Sequence, residues 1–350
     1  MTHVSTLAQN LLVTSFALNT QTRLGDLQVQ IASGEKSQRY SGIAPDASRL
    51  LNLETQNQTA TAYNQSIDIV QTRIKLMSTG LQSLDDAAEN FGGTLALQSS
   101  GQGAVDTRVW SQADDLMKQV QDILNLKDDS GYLFAGERRD NAPADLTYAT
   151  INGAAPFPAA PAGGPPPLTP APPLTTAQID QIAAAYYSGS TGSSNLSVRV
   201  DDGTPPVSYG VKANEDAFKY LVAGLQMVRQ ANTKFPADPT SAADIDTAYL
   251  QNGMELINKA INGDPTPNYP GQIEGLRGVI SRVAQTSATL STIEDRHTSF
   301  INYAQTAIGD INQVNTADAV TKLNSDQVAL QAAFSTLARL QQATLLNYLT

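Results

Sequence analysis

From residue 67 to residue 91 the chain reads IDIVQTRIKLMSTGLQSLDDAAENF, and the spacing of its apolar positions decides the fold class. Ile67, Val70, Ile74, Met77, Leu81, Leu84, Ala88 and Phe91 alternate steps of three and four without a break. A mean spacing of 3.5 residues keeps one seam of a helix turned toward a partner. Val109, Ala113, Leu116, Val120 and Ile123 resume the pattern after an expected interruption at Gly92-Gly93. Far downstream, Ile273, Leu276, Ile280, Val283, Ser287, Leu290, Glu294, His297, Ile301, Ala304, Ile308 and Ile311 keep the same alternation. At 1.5 Å per residue that last helix is about 60 Å long. Rods of this kind cannot bury their seams alone and must pack on one another. Shorter helical patterns occupy Asn214 to Gln230 and the region from Ile245 to Ala260.

Both chain ends carry the pattern in a less charged form. Val13, Ala17, Thr20, Leu24, Leu27 and Ile31 form one stripe; Val320, Leu323, Gln327, Leu330, Phe334, Leu337 and Gln341 form the other. Residues 1–34 hold only Arg23 and Asp26 as charges, and residues 313–350 only Asp318, Lys322, Asp326 and Arg339. A water-exposed helix ordinarily carries more charge on its outer face. Neutral amides and hydroxyls instead hydrogen-bond across an interface without the cost of burying ions. The terminal helices therefore read as surfaces for other protein, with Val13, Ala17, Thr20, Leu24, Leu27, Ile31, Val320, Leu323, Leu330, Phe334 and Leu337 as the expected assembly residues.

Between Tyr132 and Val211 the character changes. Residues 156–173 hold nine prolines, a stretch that reads as an extended linker or loop, since proline lacks a backbone donor and fixes φ. A helix-like piece from Ala177 to Tyr187 follows, then two strand candidates, Leu196–Val200 and Val207–Val211, around Asp201-Asp202-Gly203. The expected architecture is mainly α, a long antiparallel coiled-coil or helical bundle built by the N- and C-terminal segments, with a small, partly β inserted outer domain. Its expected divisions are a terminal coiled-coil region at 1–45 and 313–350, a bundle core at 46–136 and 213–312, and an insertion at 137–212.

Composition narrows the chemistry. The 350 residues include 22 Lys and Arg against 33 Asp and Glu, a net charge of −11. That sign, with no local basic cluster, disfavours nucleic acid as a partner. The absence of cysteine excludes disulfides, thiolate nucleophiles and Cys-ligated metals. No span reaches the roughly 18–20 apolar residues of a membrane helix, and no Lys or Arg precedes the apolar run Leu11 to Leu18, so neither membrane insertion nor a cleaved signal is expected.

Of the two histidines, His297 lies three residues after Glu294, half of a di-metal carboxylate motif. No second copy of that motif exists, so the pair reads as a polar layer that fixes register in a coiled coil, or as a local drift that turns Ile293 inward instead. The doublets Asp85-Asp86, Asp114-Asp115, Asp128-Asp129 and Asp201-Asp202 read as solvated faces, helix ends and turns, because adjacent helical side chains diverge by about 100°. Gly101-Gln102-Gly103 lacks the third glycine of a dinucleotide loop, and Trp110 reads as helix packing. No catalytic, cofactor-binding or metal-binding residue is expected.

Four segments carry a resemblance to a known family. Gln30-Ile31-Ala32-Ser33-Gly34-Glu35-Lys36, with Gly34 as the left-handed residue ending a helix, resembles the start of bacterial flagellins and their relatives. Gly131-Tyr132-Leu133-Phe134-Ala135-Gly136-Glu137, followed by Asn141-Ala142-Pro143, resembles the exit from the helical core of the hook–filament junction proteins, or hook-associated protein 3. The end from Leu340 to Leu349 is similar to that family's terminal helix, and Tyr209-Gly210 through Asn214 to Phe218 is similar to its return into the core. Tyr40-Ser41-Gly42-Ile43 departs from the Asn/Asp-rich turn found there in many relatives.

The resemblance implies a non-enzymatic axial component of the bacterial flagellum, exported unfolded through the flagellar type III apparatus without a cleaved signal and assembled outside the cell. It implies self-association in a ring or helical lattice, with the first hook-associated protein, flagellin and a flagellar export chaperone as partners. Flagellin itself, or a flagellin-like surface protein, is the alternative. A cytosolic coiled-coil protein and a bundle enzyme built on Glu294 and His297 are the other readings the sequence leaves.

Overall fold

A computed structural model describes residues 2–99, 108–147, 150, 173–192, 195–232, 239, 244–264 and 273–349, without the side chains of 2–7, 99, 340 and 343–349. All of the proline-rich stretch except Pro173, and Gly101-Gln102-Gly103, lie outside the described residues. The chain is mainly α-helical, with two short antiparallel strand pairs among the described residues. Among the described residues the helices are α1 (Thr2–Ser33), α2 (Ala47–Ser99), α3 (Arg108–Leu124), α4 (Thr176–Tyr186), α5 (Asp216–Ala231), α6 (Thr247–Asn262), α7 (Leu276–Asn312) and α8 (Thr316–Leu349).

The chain divides into two compact units, one of residues 1–61 with 297–350 and one of residues 62–296.

In the larger unit the stripe from Ile67 to Phe91 on α2 is buried at every position. The expected break at Gly92-Gly93 does not occur: α2 runs through both glycines to Ser99. Leu95, fully buried, prolongs the same seam, and its packing outweighs the ~1 kcal/mol that each glycine costs a helix. Helix α3 buries Val109, Ala113, Leu116, Val120 and Ile123, with Trp110 and Met117 beside them. Trp110 is thus a packing residue, 3% exposed.

Helix α5 is buried on almost every side, Gln226 and Arg229 included, as a helix surrounded by other elements is. It meets α6 through Gly224 and Gly253, where a Cβ on Gly224 would stand 2.7 Å from Ile257 Cγ1 and 2.9 Å from the Gly253 carbonyl. Helix α6 begins at Asp246, whose carboxylate accepts from the N–H groups of Ala248 and Tyr249.

Within 137–212, α4 starts on a reciprocal Thr175–Gln178 capping box. Strands β3 (Ser197–Val198) and β4 (Val207–Ser208) pair antiparallel with Val198 opposite Val207, shorter than expected. Gly203 takes φ +82° in the connecting loop. A second hairpin, β1 (Lys127–Asp128) with β2 (Gly131–Tyr132), escaped the sequence reading, because two-residue strands leave no period to detect. Leu146, Ile179, Ile182, Tyr186, Val200 and Tyr209 share one continuous core with α2, α3 and α5. Phe134 meets Phe218 edge to face, ring centroids 6.1 Å apart. Burial pushes the Tyr186 hydroxyl upward in pKa, and it donates to the Ala213 carbonyl at 2.9 Å.

Candidate assembly surface in the terminal unit

Helices α1 and α8 pack against each other as an antiparallel pair. On α1, Thr20 and Leu24 are buried and Val13, Ala17, Leu27 and Ile31 half-buried, all on the stripe legible in the sequence. The Thr20 hydroxyl donates to the Phe16 carbonyl at 2.8 Å, which satisfies a buried polar group within its own helix.

The face that α8 turns toward α1 is offset from the stripe read in the sequence. Leu323, Leu330 and Leu337 are half-buried, but the positions between them are Ala319, Asp326 and Ala333 rather than Val320, Gln327 and Phe334. Val320 is 41% and Phe334 54% exposed. Two adjacent sets fit a 3.5-residue repeat equally well in this sequence. The small alanines let the α1 backbone approach, and Asp326 binds Arg23 through two contacts, Nε to Oδ2 at 3.2 Å and Nη2 to Oδ1 at 2.9 Å. That bidentate pair fixes the register of the two helices.

The segment Gln30 to Lys36 forms a compact turn. Gly34 adopts φ +75° and its N–H donates to the Gln30 carbonyl at 2.9 Å, ending α1 as the sequence suggested. The Lys36 N–H donates to the Asn312 carbonyl at 2.7 Å, and Lys36 Nζ donates to the carbonyls of Asp310 and Ile311 at 2.7 and 2.9 Å. A cation therefore sits on the C-terminal carbonyls of α7, where the helix dipole favours it. The Val314 N–H donates back to the Gly34 carbonyl at 2.9 Å. One turn thereby ties the ends of α1 and α7 to the start of α8. Below it, Ile43, Leu50, Leu53, Ala304, Ala307 and Ile311 form a small core of their own.

Large apolar side chains also stand on the outward faces of this unit. Leu11, Leu12, Leu18 and Val29 on α1 are 64%, 70%, 59% and 48% exposed, and Val328 on α8 is 66% exposed. At about 100° per residue, Leu11, Leu18 and Val29 fall on the side of α1 opposite Thr20 and Leu24. The helix thus has two apolar sides, one covered by α8 and one uncovered among the described residues.

Elsewhere the candidate chemistry resolves into structure. His297 is buried. Glu294 is half-buried, and burial, then Asp68 and Asp295, push its carboxyl above its ordinary value. No cluster of three His, Asp or Glu able to hold a metal occurs among the described residues, and no helix among them is long and apolar enough to cross a membrane. The aspartate doublets are more than solvated faces and turns, since the first member of each holds an arginine distant in sequence. Asp85 binds Arg277, Asp114 binds Arg229, Asp128 binds Arg73 and Asp201 binds Arg296. Arg73 and Arg229 are themselves buried. These four pairs gather arginines into clamps between elements; sequence alone offered the doublets but no means of choosing their partners.

Residues 274–349, which span α7 and α8, match the family model of the bacterial flagellin C-terminal helical region. No curated protein matches the chain. Among solved structures, a putative flagellar hook-associated protein from Vibrio parahaemolyticus aligns with 14% identity and a TM-score of 0.50, covering 78% of this chain and all of that one. FlgL from Bacillus cereus aligns with 12% identity and a TM-score of 0.37, covering 76% of this chain and 96% of that one. At these identities the Vibrio structure shows a likeness of fold, and the family match shows a flagellin-type helical region over the last part of the chain.

Proposed function

We propose that this chain is a structural, non-enzymatic axial component of the bacterial flagellum. Within that role we assign it to the hook–filament junction, joining the hook, through the first hook-associated protein, to the flagellin filament by helix packing. One observation carries the reading: the segment matching the flagellin C-terminal region ends in α8, which together with α1 presents apolar outer faces bare of any partner among the described residues. Such faces gain their stability when neighbouring subunits cover them. A cysteine-free chain suits export in the unfolded state through a narrow apparatus, with a chaperone shielding the apolar helices, and assembly outside the cell.

The test is electron microscopy of a strain lacking the chain. Hooks without filaments, with flagellin released into the medium, are the expected result; intact filaments would refute the junction role. A filament subunit is the second reading, favoured by the flagellin identity of the matched region. Subunit counts in sheared flagella separate the two, since a junction component is scarce and a filament subunit abundant.

A further inference from the structure

Charges are few on α1 and α8, and their pairing is informative. Arg23 binds Asp326 across the two helices, and Lys322 binds Asp318 one turn away at 2.7 Å. That leaves Asp26 on α1 and Arg339 on α8, both exposed and without an ion pair or hydrogen bond among the described residues. They are of opposite sign.

The fold fixes where these two charges stand. The Arg23–Asp326 pair sets the register, which places Arg339 level with Asn10 of α1. From Asp26 that is sixteen residues along the helix, about 24 Å at 1.5 Å per residue. Around the axes, at about 100° per residue, Asp26 lies roughly 140° from the α1 seam and Arg339 roughly 160° from the α8 seam. Each points away from the other helix, so the two charges leave opposite sides of the pair. They cannot meet within one chain.

We infer that Asp26 of one copy binds Arg339 of the next, with copies lying side by side in the same direction and offset by about 24 Å. The inference rests on the assembly reading above and supplies the contact that sets its stagger. A two-fold dimer joins like faces and would bring Asp26 against Asp26. The side-by-side arrangement instead joins unlike faces, so the α1–α8 pair of each copy offers Asp26 on one side and Arg339 on the other. A contact of that kind does not close at two and repeats along a ring or helix. The scarcity of charge on the two helices gives the pair its selectivity: the other charges of α1 and α8, Arg23 with Asp326 and Lys322 with Asp318, already pair within the chain.

The absence of cysteine permits a direct test. Strains carry Asp26→Cys/Arg339→Cys in place of the natural chain, and sheared flagella are oxidised mildly. A ladder of dimers, trimers and larger species on a non-reducing gel is expected, because ~24 Å forbids a bond within one chain, given Cα separations of at most ~7 Å in disulfides. In parallel, Asp26→Arg should lower incorporation about three- to ten-fold, and Asp26→Arg/Arg339→Asp should restore it. Should the double-cysteine chain fail to incorporate, the charge swap decides alone. Monomers only, dimers only, or a swap no better than the single reversal overturns the pairing while leaving the assembly role intact. Absence of the natural chain from sheared flagella would instead overturn the role on which the pairing rests.

Discussion

Replacing Asp128 by Ala should damage the larger unit more than replacing its partner, Arg73, by Met. Arg73 is 4% exposed on α2, and its Nε lies 2.8 Å from Asp128 Oδ2 at the β1–β2 hairpin. Its Nη1 also donates to the Tyr209 hydroxyl at 3.1 Å, so one guanidinium ties α2 to two separate loops. Removing Asp128 leaves a buried cation with only a neutral hydroxyl, for which about 3–5 kcal/mol is the expected loss. For a unit of this size that lowers the melting temperature by roughly 10 °C. Arg73→Met removes the charge and keeps most of the volume. Asp128 then retains the Ser130 N–H at 2.9 Å and the Ser130 hydroxyl at 3.2 Å, with 17% of its side chain open to water. The expected cost is within about 1 kcal/mol. Urea melts followed by circular dichroism measure both, and the double variant should resemble Arg73→Met alone, because the orphaned cation is gone. Equal losses from the two single variants, or a loss below about 1 kcal/mol for Asp128→Ala, would refute the argument from the uncompensated charge.

Gly224→Ala should cost about 1–3 kcal/mol, because the added methyl meets Ile257 Cγ1 at 2.7 Å and the Gly253 carbonyl at 2.9 Å; an unchanged melting temperature would show that α5 and α6 can part freely. Glu294 ionises against burial and the charges of Asp68 and Asp295, which raises its folded pKa above 4.5. Folding therefore favours the protonated form, and this group's contribution is fully present in acid and lost as pH rises through the raised value. Glu294→Gln should accordingly raise the melting temperature at neutral pH and leave it unchanged below about pH 4; a gain independent of pH would contradict the electrostatic cause. Deleting residues 320–350 removes the partner of the α1 seam but no residue of the larger unit. Hydrogen exchange should then show residues 62–296 still protected, residues 8–31 unprotected, and no incorporation into flagella; loss of protection throughout would mean that the two units do not fold independently.

Helical periodicity made most of the architecture legible, since a 3.5-residue repeat over eight or more positions has one physical meaning. The stripe Ile67 to Phe91, the α3 stripe and the α1 stripe stand where their spacing put them. Gly34 ends α1 because a residue without Cβ reaches positive φ at little cost, a property local to the chain. Likewise, the paucity of charge on the two terminal helices is visible without coordinates.

Three matters were decided only by tertiary structure, because each depends on residues remote in sequence. Whether α8 turns Ala319, Asp326 and Ala333 or Val320, Gln327 and Phe334 toward α1 is settled by the Arg23–Asp326 pair and the closeness alanine allows, while local spacing accepts either. Whether Gly92-Gly93 breaks α2 depends on the core that receives Leu95. And the aspartate doublets acquire their meaning from arginines on other elements, since a charge in sequence is free until the fold brings its counterion within about 4 Å.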